Sequence, residues 1–219
     1  MIHKAKKSLG QNFLKSEPAL NMMCVAGEVN NKDTILEIGP GKGALTKKLL
    51  EKSMRVIAIE KDKELIELLK EKFEKEIINK KLLLIEEDIL DFDLQGNNFK
   101  NGKYKIIANI PYNITGGILK KFLSNKIKPE RMVLLVQKEV AQRIVAKDNK
   151  ESILSISVKC YGTPKYIMKV EKRFFSPSPK VDSAIISITN ISNNNFKNKE
   201  EEELFFNIVK SGFSHKRKI

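Results

Sequence analysis

Asp33-Thr34-Ile35-Leu36-Glu37-Ile38-Gly39-Pro40-Gly41-Lys42-Gly43 is the stretch from which the rest of the chain is read. Asp33 to Ile38 is a short apolar run and predicts a buried strand. Gly39, Gly41 and Gly43 then let the backbone turn and approach a ligand with no Cβ in the way. Ala44 to Lys52 predicts a helix. Strand, glycine turn and helix form the opening unit of a parallel sheet, whose ligands sit beyond the carboxyl ends of the strands. A nicotinamide site would also use glycines here. Pro40 and Ala44, however, depart from the G-x-G-x-x-G spacing of that site.

The alternation continues downstream. Arg55 to Ile59 is a second strand, stopped by Glu60. Asp62 to Ile78 predicts one amphipathic helix with Leu65, Leu69 and Phe73 on a stripe. Leu82 to Ile85 is a third strand, ended by Glu86-Glu87-Asp88, and residues 91–102 read as loop. Tyr104 to Ala108 and Met132 to Val136 are strands, with a helix from Thr115 to Leu123 between them. Lys138 to Ala146 and Ile153 to Tyr161 predict helices, and Tyr166 to Val170 and Ala184 to Ile188 a final strand pair. Phe174 to Lys180 holds two prolines and predicts a stiff loop without regular structure. Upstream, Ser16 can cap a helix that has Pro18 in its first turn. The fold expected is α/β: a mostly parallel seven-stranded sheet, covered on both faces, with an antiparallel edge hairpin. Residues 1–189 form that domain. Residues 190–200 read as a polar linker, and Glu201 to Val209 starts a helix.

Of 219 residues, 41% are apolar and 31% charged, which suits a packed core. No apolar run is long enough for a membrane span, so no membrane partner is expected. Cys24 and Cys160 lack the spacing of a zinc site or a disulfide framework, so no metal and a reducing cytoplasm are expected. The net charge is +14. Much of it gathers at the ends, on Lys4, Lys6, Lys7 and Lys15 and on Lys210, Lys216, Arg217 and Lys218. Uncompensated charge of this kind predicts a polyanion partner, and nucleic acid first.

Asn109-Ile110-Pro111-Tyr112 closes the fourth strand. Pro111 cannot continue a ladder, so the chain turns. An amide, a kink and an aromatic ring are thereby set at a strand end, as a site needs to hold a planar base by edge and face. Gly39, Glu60, Asp88 and Asn109 end four consecutive strands and can line one crevice. Glu60 follows the glycine turn at the interval at which an acid reaches ribose hydroxyls.

These residues resemble the S-adenosylmethionine-dependent methyltransferases of Rossmann-like, class I fold. Within them the chain resembles the ribosomal RNA adenine dimethyltransferases, the KsgA type and the related Erm resistance enzymes. The stretches that match are 7–14, 37–41, 109–115, 137–140 and 175–183. The resemblance implies that Asn12, Leu14, Gly39, Glu60, Asp88 and Asn109 hold S-adenosyl-L-methionine. Glu60 would take the ribose, Asp88 the adenine amino group and Gly39 the methionine end, with Gln11 to Leu14 as a lid. It implies that Asn109, Ile110, Pro111 and Tyr112 present the target adenine, with the two N–H bonds accepted by the Asn109 side chain and the Ile110 carbonyl. Tyr112 would stack on the flipped base through its ring alone, and Phe175 would pack against the other face. His3 and His215 are assigned no catalysis.

The expected function is dimethylation of adenines, two of them adjacent, in the RNA of a small ribosomal subunit precursor, by a cytoplasmic monomer. An Erm-like methylase of large-subunit RNA and a non-catalytic RNA-binding assembly factor are the alternatives. The chain departs from the resemblance after Lys147, where a Tyr-Gly is absent. It also ends at Ile219, so most of a small helical C-terminal domain is expected to be missing, with 190–219 as its linker and start.

Overall fold

A computed structural model of the chain describes residues 4–146 and 150–214. The departure after Lys147, both histidines and the basic run from Lys216 to Lys218 lie outside these residues.

Seven strands form one sheet: β2 (Thr34–Ile38), β3 (Arg55–Glu60), β4 (Leu82–Glu86), β5 (Lys105–Asn109), β6 (Arg131–Gln137), β7 (Thr163–Val170) and β9 (Ser183–Thr189). Their spatial order is β4-β3-β2-β5-β6-β9-β7. The first five are parallel, and β9 runs antiparallel to both β6 and β7. The seven-stranded α/β fold and its edge hairpin therefore stand as expected. The chain runs outward from β2 through β3 to β4 and then places β5 on the other side of β2, so the order switches between β2 and β5 and opens a crevice at their carboxyl ends.

The strands are apolar on both faces because helices cover both. In β2, Ile35 points into a core with Leu20 and Met23 of α1 (Glu17–Ala26) and Leu49 of α2 (Ala44–Lys52). Leu36 and Ile38 point the other way, toward Ile118 and Phe122 of α5 (Thr115–Leu123) and Ile144 of α6 (Lys138–Val145). Ser16 caps α1 by accepting from the Ala19 N–H, as its position predicts.

Four elements differ from the sequence reading. The helix after Glu60 is two, α3 (Lys63–Lys72) and α4 (Glu74–Ile78). Phe73 leaves helical geometry (φ −119°, ψ 29°), and its ring is buried. The segment before Pro177 is regular: Phe175–Ser176 forms strand β8, antiparallel to β1 (Phe13–Leu14). The proline loop thus begins one residue after a backbone ladder. The arm before Gln11, whose sequence reads as extended, instead holds a 3-10 turn at Lys7–Leu9 ahead of β1. Finally, the polar stretch after β9 is tied down. Ser192 donates to the Tyr161 carbonyl at 2.9 Å, and Phe196 packs on Tyr161 next to α7 (Ile153–Lys159). The last helix, α8 (Lys199–Ser214), adds Phe206 to that aromatic cluster. Among the described residues no helix is long and apolar enough to cross a membrane.

Candidate active site

A cavity of about 490 Å³ lies over the carboxyl ends of β2 to β5. That is the size of a small-molecule or cofactor pocket. Its walls include Gly39, Glu60, Asp88 and Asn109, so the four strand ends do meet in one crevice. Gly10 to Leu14 roof it, which brings in Asn12 and Leu14. Ile110, Pro111 and Tyr112 also line it.

Each wall residue is held by a nameable contact. Gly39 has φ 64°, and a Cβ built there would meet nothing nearer than Pro111 at 4.0 Å. The open space faces the cleft and forms a cradle for a ligand's backbone-sized end. Gly41 also has positive φ, and a Cβ there would strike the Phe13 ring at 2.9 Å. The roof therefore rests on the glycine turn.

Glu60 is 7% exposed. Its Oε2 accepts from the Gly41 N–H at 3.2 Å and its Oε1 from the Asp62 N–H at 3.0 Å. Burial raises its pKa, and those two donors oppose the rise. Asp88 is more open: Oδ2 accepts from Lys61 Nζ at 2.7 Å and Oδ1 from the Leu90 N–H at 2.9 Å. The Lys61 ammonium, then the Leu90 N–H, hold its carboxyl below the usual range.

Asn109 ends β5, and its Nδ2 donates to the Asn12 carbonyl at 3.1 Å. A carbonyl partner demands the nitrogen of the amide, so the orientation is fixed. The amide oxygen is left as the acceptor at the meeting point of roof, strand end and proline turn. Tyr112 opens the 3-10 turn Tyr112–Ile114, which leads into α5.

Two expectations about aromatic residues need correction. The Tyr112 hydroxyl is not idle: it lies 2.6 Å from Ser183 Oγ, and Ser183 is fully buried at the start of β9. Phe175 does not face the cleft. Its ring is 4% exposed and packs in the core beside Leu14 and Leu20, because β8 pairs with β1 and turns the ring inward. Ser176 is the residue of that segment on the cavity wall. Lys6 is likewise not an uncompensated charge, since its ammonium pairs with Asp62 at 2.7 Å and Glu64 at 3.0 Å.

Sequence reasoning overlooked three groups here. Glu37 lies in β2, 1% exposed, with its Oε2 unpartnered. Burial pushes its pKa up to about 8. An acid inside an apolar strand was the available signal. Lys61, next to Glu60, neutralises Asp88. Asp62 joins the roof to the cleft, and nothing in its local sequence marks that long-range role.

An open glycine cradle, a buried carboxylate and a flat amide at successive ends of a parallel sheet fit S-adenosyl-L-methionine. This fold and crevice are those of the Rossmann-like methyltransferases that use that cofactor. The profile described as "Ribosomal RNA adenine dimethylase" matches residues 2–219. The chain is 42% identical over 220 residues to the ribosomal RNA small subunit methyltransferase A of Fusobacterium nucleatum, covering all of this chain and 81% of that one. A dimethyladenosine transferase from Plasmodium falciparum superposes with TM-score 0.80 and 32% identity, over 94% of this chain and 72% of that one. The 23S rRNA methyltransferase ErmE superposes with TM-score 0.79 and 25% identity, over 93% and 79%. The chain belongs to the ribosomal RNA adenine dimethylase family.

Proposed function

We propose that the chain transfers methyl groups to the N6 amines of two adjacent adenines in small-subunit ribosomal RNA, on the precursor subunit, as a cytoplasmic monomer. Residues 1–189 would act as the methyltransferase domain and 190–219 as the linker and start of a helical unit. The observation that carries the chemistry is the Asn109 amide, pinned through its nitrogen to the Asn12 carbonyl.

An exocyclic adenine amine is a poor nucleophile because its lone pair is delocalised into the ring. The Asn109 oxygen and the Ile110 carbonyl would accept its two N–H bonds and turn the lone pair toward the cofactor side of the cleft. Positioning then does most of the work: the nitrogen becomes strongly acidic once alkylated and gives its surplus proton to solvent water, so no strong base is required. A neutral amide also tolerates an amine that already carries one methyl group. Tyr112 would stack on the flipped base, its ring angle set by Ser183. Phe175 would contribute by anchoring the roof through β8 rather than by touching the base. When bound, S-adenosyl-L-methionine supplies a methyl group on a positive sulfonium. Glu60 would accept from its ribose hydroxyls, Asp88 from its adenine amine, and Gly39 would cradle its methionine end, with Asn12 and Leu14 above.

Small-subunit RNA is favoured over large-subunit RNA by the nature of the 42%-identical relative. Methyl transfer onto purified small-subunit precursor particles and onto large-subunit RNA separates the two. Incorporation into the small-subunit RNA alone is expected. Incorporation into large-subunit RNA alone would overturn the substrate assignment.

A further inference from the structure

Asp62 stands two residues past Glu60 and serves both the roof and the floor of the cleft. Its backbone N–H donates to Glu60 Oε1. Its Oδ1 caps α3 by accepting from the Glu64 N–H at 3.2 Å. The same carboxylate grips the N-terminal arm: Oδ1 accepts from Lys6 Nζ at 2.7 Å and Oδ2 from Gln11 Nε2 at 2.8 Å. Lys6 and Gln11 are themselves joined, the Lys6 N–H donating to Gln11 Oε1 at 2.8 Å. The Asp62 side chain is 1% exposed and that of Lys6 37%. A buried carboxylate is thus balanced by a cation that reaches in from solvent.

The rest of the arm is fixed differently. Phe13 and Leu14 are paired with β8, Lys15 donates to the Phe174 carbonyl at 2.8 Å, and Leu14 is buried. Backbone ladder and apolar packing hold that end. Residues 6–11 are held through the buried Asp62 carboxylate, with the exposed Glu64 as a second partner of Lys6 at 3.0 Å, and Gly10 to Asn12 lie over the cavity. This segment is therefore part of the wall that a bound ligand touches. A dimethylation needs spent cofactor exchanged for fresh before the second transfer.

We propose that Asp62 is a positioning residue that couples cofactor retention to closure of the arm. Its carboxylate latches Lys6 and Gln11 over the cleft, its N–H holds Glu60 in place, and release of the latch sets the rate of cofactor exchange. The proposal rests on the reading that this cleft binds S-adenosyl-L-methionine.

Asp62→Asn tests the latch without removing the cap, because Asn caps a helix as well as Asp does. The backbone N–H to Glu60 is kept, and the charge and one of the two acceptors are lost. Lys6→Met opens the same latch from the other side and leaves Asp62 untouched. S-adenosylhomocysteine release is followed in wild type and both variants by chasing bound product with excess unlabelled ligand. Both variants should release about five- to tenfold faster, the effect of charge-assisted bonds discounted for solvent. The KM for cofactor should rise with kcat not lowered, and the ligand-free melting temperature should stay within about 2 °C. Unchanged release in both variants overturns the proposal. So does faster release in Asp62→Asn alone, which would assign the effect to Glu60. Failure of the wild-type protein to bind S-adenosylhomocysteine at all would instead refute the functional reading beneath it.

Discussion

Replacing Asn109 by Ala removes two things that the structure keeps apart. The first is the amide oxygen, the acceptor for the target amine. Loss of one preorganised contact of that kind costs ~10²–10³ in the chemical step. The second is the Nδ2 bond to the Asn12 carbonyl at 3.1 Å, a neutral bond worth about 0.5–1.5 kcal/mol. That bond helps hold the roof down, so cofactor affinity should weaken by no more than about tenfold. RNA affinity should hardly change. Asn109→Asp separates the two effects. A carboxylate can still accept from the amine, but it cannot donate to Asn12 and faces its carbonyl oxygen. Asn109→Asp should therefore keep more of the chemical rate than Asn109→Ala while retaining cofactor less well. Single-turnover methylation of small-subunit RNA, with calorimetric titration of the cofactor, measures both. A drop of less than about tenfold in the single-turnover rate of Asn109→Ala would refute the orienting role.

Glu60→Ala should weaken cofactor binding by about 1.5–3 kcal/mol, and an unchanged calorimetric affinity would remove Glu60 from the site. Because Glu60 also receives the Gly41 and Asp62 N–H groups, the variant should melt lower as well. Tyr112→Ala should cost roughly 1–3 kcal/mol of base retention. Tyr112→Phe and Ser183→Ala should each lower turnover by a similar, smaller factor, and the double variant no further; additive losses would separate the two residues. Glu37 gives a stability dependence on pH. Its carboxyl stays protonated in the fold up to about pH 8 but ionises near 4.5 when unfolded. Between those values the folded state holds the extra proton, so stability falls as pH rises, and above pH 8 the loss is complete, on the order of 3–5 kcal/mol. Glu37→Gln should then raise the melting temperature of the ligand-free protein at high pH and not at pH 5, and a pH-independent difference would contradict the assignment.

Strand ends and helix starts were legible where one residue type acts locally. Pro111 stops β5, Ser16 caps α1, and Ala44 to Lys52 is a helix with the bounds its pattern predicts. The wall of the cleft was legible for the same reason: Glu60 and Asn109 end strands of one parallel sheet, and Gly39 and Asp88 lie one and two residues past the ends of their strands. What stayed hidden depends on partners far along the chain. Phe175 reads as an exposed aromatic in a proline loop until β1, some 160 residues earlier, pairs with it. Lys6 reads as a free charge because its partners lie 56 and 58 positions away. The Tyr112 hydroxyl finds Ser183 only because β9 inserts beside β6. Local pattern carries the elements and their polar ends, while packing across the sheet decides which rings and charges remain available.

Dimethylation of adenine N6 in this cleft is read out by mass analysis of nucleosides from small-subunit RNA incubated with the purified chain and S-adenosyl-L-methionine. N6,N6-dimethyladenosine is expected in wild-type reactions, with its near loss in Asn109→Ala. Methylation found at another base or atom, or dimethyladenosine formed equally by both proteins, would contradict it.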